Sequence, residues 1–89
     1  MGNKNLNEDY VRELVAYLVR ADDPQKMQKL LESLLSPSEL NAIATRVQIF
    51  KQLKHGIPQR EIAANLGVGI ATVTRGSREM KAGRDLIFD

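Results

Sequence analysis

The sequence contains no cysteine and only one histidine, His55. Without thiols the chain can form neither a disulfide nor a thiolate metal site, and a single histidine cannot assemble a zinc cluster. The sequence also has no paired-carboxylate pattern and no phosphate-binding loop around a plausible pocket. We therefore expect no metal, no cofactor and no catalytic residue, and an enzyme is the poorest of the function classes considered.

Long apolar segments are missing as well. No apolar run approaches the length that spans a bilayer, and the N-terminus lacks a basic region followed by an apolar core segment. We expect a cytoplasmic protein without a membrane partner. The 89 residues make one domain, and because so short a chain buries a limited core by itself, we expect a homodimer.

Charge is distributed unevenly along the chain. Residues 1–45 carry five Lys or Arg against seven Asp or Glu, whereas residues 46–89 carry eight against four. The positive second half is typical of a phosphate-binding surface. Charge alone fits equally well a solvated basic surface with no partner.

The stretch from residue 59 to residue 77 predicts a helix-turn-helix. Gly67 and Gly69 supply a sharp turn between two short helices. Both helices contribute to one apolar seam, formed by Ile62, Leu66, Ile70 and Val73. In such a unit the start of the second helix enters the major groove of DNA.

DNA contacts are therefore assigned within this stretch. The residues expected at the duplex are Gln59, Arg60, Gly69, Ile70, Ala71, Thr72 and Thr74. The hydroxyls of Thr72 and Thr74 are expected to lie near the bases, and Arg60 near a phosphate. An ordinary two-helix corner is the alternative. Polar residues at Thr72, Thr74 and Arg75 argue against a corner that is buried on both sides.

Two helices are predicted before the midpoint of the chain. The first spans residues 8–20 with Asn7 as its N-cap. The second begins at Pro24, capped by Asp22 or Asp23, and ends at about Leu35. Apolar residues recur at helical spacing in both, which predicts that each helix packs by one stripe.

The third predicted helix has the clearest start in the chain. Ser36-Pro37-Ser38-Glu39 combines an N-cap hydroxyl, a proline at the first helical position and a glutamate that completes a capping box. Gly56 ends this helix. Its apolar stripe, expected at the centre of the core or of the dimer interface, comprises Leu40, Ile43, Ala44, Val47, Phe50 and Leu53.

From Leu34 to Lys81 the sequence resembles the bacterial tryptophan operon repressor family. The residues that carry the resemblance are Leu35-Ser36-Pro37, Thr45-Arg46-Val47, Gln59-Arg60-Glu61 and the run Gly69-Ile70-Ala71-Thr72-Val73-Thr74-Arg75-Gly76-Ser77. The resemblance implies an all-α fold of five or six short helices, assembled as an intertwined homodimer. It also implies binding to double-stranded operator DNA with L-tryptophan as corepressor.

The resemblance divides the chain into four segments within a single domain. These are dimerisation helices in residues 1–35, a central core helix in residues 36–55, the helix-turn-helix in residues 58–81 and a tail in residues 82–89. It also implies a site for L-tryptophan formed by Ser33, Leu35, Ser36, Arg46, Arg75, Gly76 and Glu79.

Within that implied site, Arg46 and Arg75 bracket the indole ring, since guanidinium groups stack on aromatic faces and bind carboxylates. Gly76 leaves room for the ring. Ser36 faces the ligand carboxylate, and the carbonyls around Ser33 and Leu35 receive its ammonium.

Glu79 departs from the family pattern. It stands where the family has a small hydroxyl residue, and its carboxylate would either pair with the ligand ammonium or repel the ligand carboxylate. From the resemblance as a whole we expect a corepressor-dependent repressor. Because of Glu79, a ligand-independent DNA-binding regulator of the same type is the alternative. A pure protein-interaction module remains a further possibility, and binding to DNA that depends steeply on salt would argue against it.

Overall fold

The computed structural model describes residues 6–82. Five α-helices and no strand occur in that range: α1 (Glu8–Val19), α2 (Pro24–Leu34), α3 (Pro37–Lys54), α4 (Gln59–Leu66) and α5 (Ile70–Lys81). The predicted all-helical class is confirmed. The intertwined homodimer stays a prediction, and the predicted tail lies outside the described residues from position 83 onward.

The chain separates into two compact units, Met1–Leu40 and Asn41–Asp89. The first contains α1, α2 and the start of α3. The second contains the remainder of α3 together with α4 and α5, and therefore the whole predicted helix-turn-helix.

The first two helices begin at side-chain caps. Oδ1 of Asn7 accepts a hydrogen bond from the backbone N–H of Tyr10 at 3.0 Å. Oδ1 of Asp23 does the same for the N–H of Lys26 at 2.8 Å, with Pro24 at the first helical position. Each cap satisfies a backbone donor that the helix itself leaves unpaired. The structure thus selects Asp23 over Asp22 as the cap of α2.

The capping box before α3 is also formed. Oγ of Ser36 accepts from the N–H of Glu39 at 3.1 Å, and Oε1 of Glu39 accepts from the N–H of Ser36 at 2.8 Å. The backbone N–H of Ser36, and then its side chain, hold the pKa of Glu39 below its ordinary value of 4.5. The two hydrogen bonds between Ser36 and Glu39 therefore fix the start of α3 at Pro37.

The first unit has apolar surface but no buried residue in α1 or α2. Large apolar side chains of α1 that remain 43–75% exposed are Tyr10, Leu14, Val15, Tyr17 and Val19. Since burial of apolar area is the main favourable term in folding, these helices gain little from it within one chain.

The core of the second unit is formed by Ile49, Ile62 and Val73, each at most 2% exposed. These three residues come from α3, α4 and α5. The partly buried apolar residues packed against them are Leu53, Ile57, Ala63, Leu66 and Val68. The seam predicted between α4 and α5 is therefore present at Ile62, Leu66 and Val73.

One of the core predictions is wrong. Ile70 is 51% exposed and does not belong to the seam. On α3, the predicted stripe residues Ile43 and Val47 are 41% and 38% exposed, while the buried residue is Ile49. Ile49 lies beside the predicted stripe, of which Leu53 packs against the core while Ile43 and Val47 stay exposed in the single chain. A place for Ile43 and Val47 in a dimer interface stays a prediction.

The turn between α4 and α5 depends on one glycine. Gly67 adopts the left-handed conformation at φ 65°, ψ 35°, which favours glycine because it has no Cβ. Gly69 has extended φ −70°, ψ 150°, which any residue can adopt. The prediction that both glycines make the turn is therefore right only for Gly67.

Candidate nucleic-acid interface and ligand pocket

The first turn of α5 presents small and apolar groups to solvent. Ile70, Ala71 and Thr72 are exposed, while Val73 on the opposite side is fully buried. The buried side fixes the helix on the core and leaves the predicted DNA-contacting residues accessible. Arg60 in the first turn of α4 is also exposed.

Both helices of the helix-turn-helix begin without a side-chain cap. Pro58 precedes α4 and Gly69 precedes α5, and neither supplies a side-chain hydrogen bond to the helix. This differs from α1, α2 and α3. The first N–H groups of a helix are unpaired within it and carry the positive end of the helix dipole, so such a start can receive an anion.

Gln59 and Thr74 are joined across the two helices. Oγ1 of Thr74 donates to Oε1 of Gln59 at 2.8 Å, and it also lies 3.0 Å from the carbonyl oxygen of Ile70. Both side chains are half-buried. The sequence predicted two separate DNA contacts at these positions, and nothing in their spacing of 15 residues indicated the bond between them.

A pocket of about 490 Å³ lies between α3 and α5 in the second unit. It is lined by Asn41, Ala42, Thr45, Arg46, Ile49, Val68, Thr72, Arg75, Gly76 and Glu79. Four of the seven residues predicted for the ligand therefore share one pocket, namely Arg46, Arg75, Gly76 and Glu79. Of the α3 residues in the lining that were not predicted, Ala42 and Ile49 lie four and three positions from Arg46, the spacing of one helical face, and Asn41 and Thr45 lie beside them.

The pocket combines apolar and charged groups. Ala42, Ile49 and Val68 are its apolar components, and Arg46 and Arg75 are its cations. Guanidinium groups bind carboxylates through paired hydrogen bonds and also stack on flat aromatic rings. The arrangement suits a small ligand with a carboxylate and an apolar or planar body.

Gly76 has a packing role beside its place in the pocket. It is buried, and a Cβ at this position would lie 2.8 Å from Cγ2 of Ile49, closer than real Cβ atoms approach other carbon atoms. The absence of a side chain therefore allows the backbone of α5 to approach α3. Gly76 was predicted only as space for a ligand ring.

The remaining predicted ligand residues belong to the first unit. Ser33 donates its hydroxyl to the carbonyl oxygen of Leu30 at 2.7 Å, and Ser36 forms the capping box. Leu35 is the C-cap residue that follows α2. The ligand-binding roles of Ser33, Leu35 and Ser36 stay predictions.

Comparison with known proteins places this arrangement in a family. The family model described as Trp repressor protein matches residues 9–87. The chain belongs to the Trp repressor family. The Trp repressor match begins one residue after the start of α1 and includes the other four helices and every residue assigned above to DNA or ligand.

Individual members of the Trp repressor family are similar over most of this chain. It is 42% identical over 74 residues to a Trp operon repressor homolog of Aliivibrio salmonicida, covering 82% of this chain and 68% of that one. A Trp operon repressor homolog of Vibrio campbellii is 42% identical over 73 residues, or 80% and 73% of the two chains. One from Vibrio parahaemolyticus is 43% identical over 70 residues, or 76% and 68%.

No helix in residues 6–82 is both long enough and apolar enough to cross a bilayer.

Proposed function

We propose that the protein is a sequence-specific DNA-binding transcriptional repressor whose affinity for operator DNA is raised by L-tryptophan. The observation that carries the proposal is the position of the pocket. Thr72 and Arg75 of α5 line it together with Arg46 of α3. A ligand in this pocket would touch the helix that is proposed to read DNA.

The DNA-binding part of the proposal is supported by the exposed first turn of α5 and by the two uncapped helix starts. The backbone N–H groups that no side chain caps at the two helix starts and the guanidinium of Arg60 suit phosphate oxygens, whereas Ile70, Ala71 and Thr72 suit base edges and thymine methyl groups. Phosphate contacts set the affinity and its salt dependence, and base contacts set the sequence preference.

The corepressor part is supported by the charges in the pocket. Arg46 and Arg75 are matched to a carboxylate and an aromatic face, and Glu79 is matched to an ammonium. An α-amino acid with an aromatic side chain has all three groups. A ligand shifts an equilibrium only by binding one state more tightly, so L-tryptophan must prefer the DNA-competent orientation of α5.

Dimerisation is part of the same proposal. A two-fold dimer would cover the exposed apolar side chains of α1 and present two copies of α5 to successive major grooves. The operator half-sites would then be related by two-fold symmetry.

Titration calorimetry with L-tryptophan, followed by DNA binding with and without it, tests the proposal. We expect the ligand to strengthen binding by about 1–3 kcal/mol, the usual range of coupling between two sites. Arg46→Ala should abolish the ligand response and leave weak DNA binding. Arg78→Ala is the matched control for calorimetry, since Arg78 is an exposed arginine of α5 outside the pocket lining. Unchanged DNA affinity in the presence of L-tryptophan would contradict the corepressor role alone.

A ligand-independent repressor is the second candidate, and the carboxylate of Glu79 in the pocket favours it. Repulsion between this group and a ligand carboxylate would exclude an amino acid. Glu79→Ser separates the two candidates. If the parent ignores L-tryptophan and the variant responds to it, Glu79 blocks the ligand. If neither responds, the pocket has no corepressor function.

A further inference from the structure

The hydrogen bond between Gln59 and Thr74 connects the first residue of α4 to the second turn of α5. It links two helices through side chains on the surface that is proposed to meet DNA. Oε1 of Gln59 is the acceptor at 2.8 Å. The single hydroxyl hydrogen of Thr74 is therefore directed toward Oε1 of Gln59, the nearer of its two possible acceptors, with the carbonyl oxygen of Ile70 at 3.0 Å.

This bond leaves Gln59 with a defined donor. A glutamine amide has one acceptor oxygen and two N–H donors. With Oε1 held by Thr74, the side chain loses much of its rotational freedom and Nε2 is presented in a fixed direction. A donor that is ordered before binding loses less freedom when the partner arrives.

We propose that Thr74 is a positioning residue that orients Gln59 so that Nε2 donates to a phosphate oxygen of the duplex, and that Thr74 contacts no base. The inference rests on the proposed DNA-binding function. The phosphate follows from the place of Gln59, because α4 is the first helix of the motif and such helices cross the sugar-phosphate backbone.

A double-mutant cycle tests this coupling. The variants are Thr74→Val, which keeps the shape and removes the hydroxyl, Gln59→Ala and the pair. The probe is a duplex selected by the parent protein from a random-sequence library with L-tryptophan present, compared with an unselected duplex. We expect each single change to weaken binding about tenfold, the size of one hydrogen bond to a charged group. The double variant should bind no more weakly than either single variant.

Two further variants sharpen the result. Thr74→Ser retains the hydroxyl and should bind like the parent. Thr72→Val is the matched control. Thr72 is an exposed threonine two residues before Thr74 on α5, and it has no bond to Gln59. The fold-loss in DNA affinity from Thr72→Val should multiply with the fold-loss from Gln59→Ala. The losses from Thr74→Val should be equal on selected and unselected duplexes, since a phosphate contact carries no sequence information.

The cycle distinguishes the possible failures. Losses that multiply for Thr74→Val and Gln59→Ala, or a loss for Thr74→Val that is confined to the selected duplex, would overturn the inference and leave the repressor function standing. A parent protein that binds no duplex would overturn both.

NMR of the free protein adds a measurement that needs no DNA, and its first comparison is made within the parent protein. The side-chain amide of Gln59 should be more ordered than that of Gln48, which is exposed on α3. Equal disorder in the two amides would overturn the positioning role. Thr74→Val should increase the mobility of the Gln59 amide only.

Discussion

Gly76 of α5 faces Ile49 of α3 so closely that a single added carbon would lie 2.8 Å from Cγ2 of Ile49. Both residues also line the pocket between these helices. The close approach of the α5 backbone to the side chain of Ile49 therefore fixes the orientation of α5 against α3. A change at this contact should alter stability and ligand binding together.

Gly76→Ala should destabilise the protein. Overpacking costs about 1–3 kcal/mol, against roughly 1 kcal/mol that alanine gains over glycine inside a helix. Denaturant unfolding measures the net loss, and calorimetry should show weaker ligand binding because α5 must move away from α3.

The control for that prediction is the Ile49→Ala background. Removing Cγ2 should reduce the additional cost of Gly76→Ala, although Ile49→Ala itself costs about 2–5 kcal/mol by leaving a cavity. An unchanged cost of Gly76→Ala in that background would show that the close contact with Ile49 is not its cause.

Gly69→Ser should raise stability and lower DNA affinity. Nothing lies within 4 Å of a Cβ at Gly69, and its extended backbone suits a serine N-cap, which is better than glycine by a few tenths of a kcal/mol. The new cap would occupy N–H groups proposed for phosphate. Thermal unfolding and DNA titration should therefore move in opposite directions.

Gly67→Ala provides the comparison. At φ +65° an alanine is strained, and left-handed backbone costs about 1–2 kcal/mol for a residue with a Cβ. If the substitutions at Gly67 and Gly69 changed stability equally, the assignment of the turn to Gly67 would be wrong.

The capping box gives stability that depends on pH. Because the folded state holds the pKa of Glu39 below 4.5, its ionised form is favoured by folding. This contribution is complete above the ordinary pKa and is lost as pH falls through the lowered one. Glu39→Gln should therefore flatten the rise in unfolding free energy as the pH increases from the lowered pKa of Glu39 to its ordinary pKa of 4.5.

Ser36→Ala tests the causes of that pKa shift. The variant keeps the backbone N–H, the larger cause, and removes the hydroxyl. It should retain part of the pH dependence that Glu39→Gln removes. A steeper pH dependence in either variant than in the parent would contradict the assigned sign.

Leu14→Lys should shift the proposed dimer toward monomer. Leu14 is 43% exposed on α1, and a lysine in an apolar interface would have to be desolvated. Sedimentation at micromolar concentration measures the change. Glu13→Gln, a neighbouring substitution with the same change of charge, is the control and should leave the dimer intact. A stable, folded monomer of the parent would contradict dimerisation itself.

The helices could be predicted well because their ends are encoded locally. Asn7, Asp23 and the Ser36–Glu39 pair each cap a helix through neighbours three residues away. Such signals need no knowledge of tertiary structure. The fully buried residue of α3 could not be predicted in this way, since Ile49 lies beside the most apolar stripe and is buried by its contacts with α4 and α5.

The candidate site was predicted unevenly for a similar reason. Arg46, Arg75, Gly76 and Glu79 followed from resemblance to a family and share a pocket. The Gln59–Thr74 bond depends on two side chains from different helices, and no rule of local spacing indicates such a bond. The sequence predicts that Gly76 leaves room for a ligand ring. In the structure its lack of a side chain leaves room for the side chain of Ile49.

The lack of any buried residue in α1 and α2 has a consequence for the order of events in folding. Ordering the backbone costs about 1–2 kcal/mol per residue, and in these helices little buried area offsets that cost within one chain. The unit around Ile49, Ile62 and Val73 has an interior of its own and can form in a first-order step. In the proposed dimer, the N-terminal helices, although synthesised first, should become ordered in a second-order step whose rate rises with protein concentration.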